Sequence, residues 1–125
     1  MSNSPFAYTF HDGVAVINGV GTSTIAHIER LARHLSAQAA AGGTIRLVVV
    51  DRNASPSLPV SGVRAIVDLL RRHLLPGGLT ALAYVAPHDA LYGTARMCTT
   101  YAEMLGIRAA AFRDEADAMA WLAAE

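Results

Sequence analysis

Short runs of apolar, often β-branched residues alternate along this chain with longer stretches in which apolar positions recur every three or four residues. The first pattern suits strands and the second amphipathic helices. Ala7 to Phe10 and Val14 to Val20 read as two strands joined at His11-Asp12-Gly13, where Asp-Gly supplies the positive backbone angles of a hairpin turn. An antiparallel opening is therefore expected. After Gly21, Thr22-Ser23-Thr24 offers N-cap hydroxyls, and Ile25, Ile28, Leu31 and Leu35 keep helical spacing until Gly42-Gly43.

Ile45 to Val50 is almost wholly apolar and suits a central strand covered on both faces. Arg52 to Ser61, with Pro56 and Pro59, reads as a loop after Asp51. Val63, Ile66, Val67 and Leu70 then restore helical spacing, with Ser61 where the N-cap would fall. Pro76-Gly77-Gly78 ends this helix, and Leu79 to Ala86 gives another buried strand. Asp89 is expected to cap a third helix that reaches Leu105 and closes at Gly106. Ile107 to Phe112 forms the last strand. Asp114, Glu115 and Asp117 open a final helix, where the macrodipole favours negative charge, and Trp121 and Leu122 should lock it onto the sheet as core residues. This order predicts an α/β fold with a mixed, mostly parallel sheet, right-handed crossovers and helices packed on it. One domain over residues 1–125 is expected, with residues 1–5 as a flexible tail.

The last third of the chain carries a family resemblance. Tyr92-Gly93, Arg96-Met97, Tyr101, Gly106, Phe112-Arg113-Asp114 and Ala118 to Leu122 together resemble the SpoIIAA-like branch of the STAS and Sec14-like domains, small cytoplasmic bacterial modules. The likeness spans Ile45 to Leu122 and extends to the first forty residues by element order. It implies the fold just derived, and a regulatory role through protein binding. In anti-sigma-factor antagonists of the STAS group, a Ser-Gly pair shortly after the third strand carries a phosphorylation switch; the pair here is Ser61-Gly62. Pro59-Val60 stand before it, where those proteins usually have an acidic residue and a further serine. The resemblance also places a glycine, an arginine and a methionine at Gly93, Arg96 and Met97.

Composition narrows the function classes. Of the 125 residues 53 % are hydrophobic, enough for a proper core. Ten basic residues, all arginine, balance ten acidic ones, so no global field favours nucleic acid or an anionic membrane. The absence of lysine excludes Schiff-base and P-loop chemistry, and with no acidic pair after the first strand it also excludes a receiver-domain reading of Asp51. The single cysteine, Cys98, fits a reducing compartment. No signal-peptide pattern opens the chain, and no apolar run approaches the roughly 20 residues of a membrane span. A cytoplasmic location is expected.

Candidate chemistry gathers at the carboxyl ends of the strands, where open α/β sheets bind ligands. Those ends hold Asp51-Arg52-Asn53, His88-Asp89 and Arg113-Asp114. The expected binding rim comprises Asp51, Arg52, Asn53, Ser61, His88 and Tyr92. A phosphate on Ser61 would be held by unpaired amides and the helix dipole, whereas an unmodified serine there is simply a cap. His27 and His34 lie with Arg30 on the outer stripe of the first helix and suit a solvated face better than a metal. Cys98, amid Tyr101, Ala102 and Leu105, suits a small core residue. No metal or cofactor is expected.

The third helix is apolar and aromatic around much of its circumference, at Tyr92, Met97, Tyr101 and Met104. Gly93 within it costs about 1 kcal/mol against alanine, so a close approach of another backbone, a second subunit or a ligand is expected there. Gly93, Arg96, Met97 and Tyr101 are the expected interface or ligand contacts. Three functions follow, in order. The first is a non-enzymatic interaction module that binds another protein or itself as a homodimer. The second is a Sec14-like carrier of a small apolar ligand, lined by Met97, Met104, Tyr101 and Phe112. An enzyme using Asp51, Ser61 and His88 comes third, since nothing resembles a nucleophile elbow.

Overall fold

A computed structural model describes residues 6–19, 25–39, 44–51, 60–74, 76 and 78–124. Its elements follow the predicted order: β1 (Phe6–His11), β2 (Val14–Gly19), α1 (Ile25–Ala39), β3 (Ile45–Asp51), α2 (Val60–Leu69), β4 (Leu79–Val85), α3 (Asp89–Met104), β5 (Arg108–Phe112) and α4 (Glu115–Ala123). The sheet runs β1-β2-β3-β4-β5, antiparallel between β1 and β2 and parallel from β2 through β5. Asp12 and Gly13, at φ 53° and 77°, form the hairpin turn that Asp-Gly predicts. The tail 1–5, the Thr22–Thr24 hydroxyls and Gly42-Gly43 lie outside the described residues.

Each crossover from β2 to β5 steps to the next strand in one direction, so right-handed connections put α1, α2 and α3 on one face. Leu35, Leu70, Leu74 and Ala102 pack there against Ala15, Ile17, Leu47, Leu82 and Ala109. Alternation sends Val48, Val50, Ala81, Ala83 and Val85 to the other face, where Ala118 and Leu122 of α4 cover them. β3 and β4 are thus buried on both sides, which explains their almost uninterrupted apolar sequences. The β3–β4 register shifts by one at Ile45/Arg46, a bulge that the sequence does not announce.

Several expectations are corrected. α2 begins at Val60, so Ser61 is the second residue of the helix and not its cap. α2 continues into a π-helical turn, Leu70–Leu74, which buries Leu70 and Leu74 and turns His73 toward Glu29 of α1 at 3.3 Å. His88, in extended conformation, is the N-cap of α3; Asp89 is its first residue. Ile107 is buried but precedes β5. Trp121 is half-buried: Phe112 lies 5.6 Å away on one side, and the Arg108 guanidinium covers the ring at 4.0 Å. Ala118 and Leu122, which is 2 % exposed, are the buried anchors of α4. Trp121 thus packs at the edge of the α4-side core, between Phe112 and the Arg108 guanidinium.

Candidate functional site

The carboxyl edge of the sheet is assembled by register. Val50 pairs with Val85 and Val85 with Phe112, so β3, β4 and β5 end side by side. The Ala86 N–H donates to the Phe112 carbonyl at 2.8 Å and extends the ladder one residue further. The chain then turns at Pro87-His88 into α3, where the His88 carbonyl accepts the N–H groups of Leu91 (3.1 Å) and Tyr92 (2.9 Å). The His88 side chain is exposed and makes no capping bond.

Arg113, the first residue past β5, organises this edge. Its guanidinium donates to the Asp89 carboxylate at 2.5 Å and lies 4.3 Å over the Tyr92 ring. Asp89 therefore ties the start of α3 to the end of β5 where a cap had been expected. The pair is open to water, with the Asp89 side chain 89 % exposed, so it contributes at most about 1 kcal/mol to stability. Its value is positional: Arg113 is held over the Tyr92 ring in the first turn of α3. Arg113 is expected at these strand ends but not in the binding rim with His88 and Tyr92; its contact with Asp89 spans 24 positions, and that pairing leaves no local signal.

Asp51 ends β3 at this edge opposite Gly19, and Arg52 and Asn53 lie outside the described residues. Ser61 sits in the first turn of α2, where backbone N–H groups lack intrahelical partners. Among the described residues, no three His, Cys, Asp or Glu side chains form a group able to hold a metal ion. His34 and Arg30 are exposed on α1, as expected of a solvated face.

The inner side of α3 is buried through Leu91, Thr94, Ala95, Cys98, Thr99 and Ala102. Cys98 packs with Val67 of α2, and burial pushes its thiol up to about 12, so it stays protonated and unreactive at neutral pH. Thr99 returns its hydroxyl to the Ala95 carbonyl at 3.0 Å. Elsewhere, the Arg71 and Arg72 guanidiniums beside Asp68 hold its carboxyl below the usual value.

The outer side of α3 differs from expectation at Gly93. A Cβ there would meet nothing within 4 Å, so neither the neighbouring strand nor any other described part of the chain approaches it. Met97 and Tyr101 are half-buried against Val67 and Cys98, and Arg64 of α2 lies 5.7 Å from the Tyr101 ring. Met104 is 75 % exposed. Gly93, Arg96, Met97 and Tyr101 thus share one helix, but Tyr101 serves the α2–α3 seam while Gly93 and Arg96 face water. Phe112 lies on the opposite face of the sheet with α4, so the pocket lining expected for an apolar ligand is not brought together.

No helix among the described residues is long and apolar enough to cross a membrane. No protein-family model, curated protein or solved structure matches the chain.

Proposed function

We propose that this chain is a non-enzymatic regulatory module that works in the cytoplasm by binding protein through α3, in the manner of the anti-sigma-factor antagonists it resembles. The observation that carries this reading is the outer face of α3, where Gly93, Thr100 and Met104 are exposed beside half-buried Met97 on a rigid, well-anchored helix. Binding faces on regular elements hold their side chains in place at little entropic cost. The groups at the strand edge support the same reading, because Arg113, Asp89 and Tyr92 already engage one another. Ser61 in the first turn of α2 is the position that the resemblance assigns to a phosphorylation switch, and a phosphate there would meet unpaired amides and the positive end of the dipole.

Affinity capture with the purified full chain tests this. The wild type should retain a protein, whether another species or the chain itself, that Met104→Glu releases and Ser61→Asp alters while Ser61→Ala does not. If nothing is retained, or if Met104→Glu retains the same proteins in the same amounts, the module reading falls. If all three serine forms bind identically, the switch falls.

A further inference from the structure

We infer that the outer face of α3 is the two-fold interface of an antiparallel homodimer, in which Met104 of each copy seats over the partner's Gly93. This rests on the interaction-module reading and names its partner as a second copy of this chain.

Gly93, Met97, Thr100 and Met104 are spaced four, three and four residues apart, the rhythm of a helix-pairing seam. The seam points away from the sheet, since the buried stripe of the same helix is Leu91, Ala95, Cys98 and Ala102. It runs roughly 16 Å along the axis. A two-fold axis midway between Cys98 and Thr99 sets Met97 against the partner's Thr100 and Met104 against the partner's Gly93. Every layer then pairs a large side chain with a small one. Met104 is 75 % exposed, and among the described residues nothing lies within 4 Å of a Cβ placed at Gly93, so the long side chain has both reason and room to seat there. A parallel pair in register would instead stack methionine on methionine and glycine on glycine, with crowding in one layer and a void in the next.

Charge selects the same arrangement. Arg96 and Glu103 stand seven residues apart on one flank of the seam, both exposed, and neither forms an ion pair among the described residues. Seven residues are about 10 Å of helix, too far for the two to meet within one copy. In antiparallel pairing like flanks face each other, so Arg96 reaches the partner's Glu103, and symmetry repeats the contact. A seam of three turns is smaller than a standard stable interface, so the dimer should be weak and concentration-dependent.

Sedimentation velocity of the full chain over micromolar to millimolar concentrations should show the mass climbing from monomer toward dimer. Met104→Glu should remain monomeric. Arg96→Glu or Glu103→Arg alone should weaken dimerisation by roughly tenfold, and the two together should restore it, because each reversal acts twice across a two-fold. All these positions are exposed, so the variants should fold, which circular dichroism melts check. Mixing Gly93→Cys with Met104→Cys chains under oxidation should give the mixed disulfide in excess of either homodisulfide. A dimer insensitive to every substitution, or predominance of the Met104→Cys homodisulfide, overturns the inference. A wild type that stays monomeric yet retains another protein through Met104 overturns the second copy but leaves the module standing; one that stays monomeric and captures nothing overturns both.

Discussion

Cys98 shows how far residue type alone carries an argument. A lone cysteine between apolar neighbours reads as a core residue, and it is 3 % exposed. Burial disfavours the thiolate, so the folded value stands at about 12, above the ordinary 9.0. The unfolded chain therefore loses the proton first. The associated stability is complete below 9.0 and is lost as pH rises toward about 12. Alkaline denaturation should accordingly be steeper for wild type than for Cys98→Ala, and a thiol reagent at neutral pH should label Cys98 only after unfolding. Rapid labelling of the native protein would contradict the burial. Trp121 is the opposite case: its size suggested the core, but its position on α4 leaves it at the margin beneath Arg108. Residue type does not report which way a helix is rotated.

At the scale of the element, two glycines of one helix region have opposite roles. Gly106 follows α3 at φ 87°, and its N–H bonds the Glu103 carbonyl while that of Ile107 bonds the Ala102 carbonyl, the paired closure of a Schellman motif. Gly93 has no such demand, with open space where its Cβ would be. Gly106→Ala should destabilise the fold by about 1–2 kcal/mol, and Gly93→Ala in dilute, monomeric protein should stabilise it by about 0.5–1 kcal/mol. Urea titrations decide both. Destabilisation by Gly93→Ala in the monomer would mean that another part of the chain comes close after all. α4 follows its sequence signals most closely: Asp114 accepts the Ala116 N–H at 2.9 Å as N-cap, and Glu115 and Asp117 occupy the first turn. The π-helical turn after α2 carried no such signal, because Leu70–Leu74 are ordinary helix formers and tertiary burial of Leu70 and Leu74 decides the local winding.

At the scale of the molecule, stability should be graded across the sheet. β3 and β4 are flanked by strands and covered on both faces, whereas β1 and β5 each have one edge that no described strand pairs with. Amide hydrogen exchange should therefore be slowest in Leu47–Val50 and Leu82–Val85 and faster in β1 and β5. Equal protection in an edge strand would show that the edge is covered, as it would be if sheets rather than α3 helices joined two copies. The sheet also separates surfaces: α4 and Phe112 lie on one side, and the α2–α3 seam and the outer stripe of α3 belong to the other. That separation disperses the residues expected to line an apolar pocket.

Element order, the Asp-Gly hairpin, the central strands, the Gly106 closure and the Asp114 cap were legible in the residues. Each is dictated by local backbone chemistry or by a period that no distant contact needs to supply. Packing set Arg113 against Asp89 and Tyr92, made His88 and not Asp89 the cap, left Trp121 half-buried under Arg108 and kept the other described elements away from Gly93. These outcomes depend on how helices are rotated against the sheet and on contacts between residues far apart in sequence, where packing and long-range charge outweigh local preference.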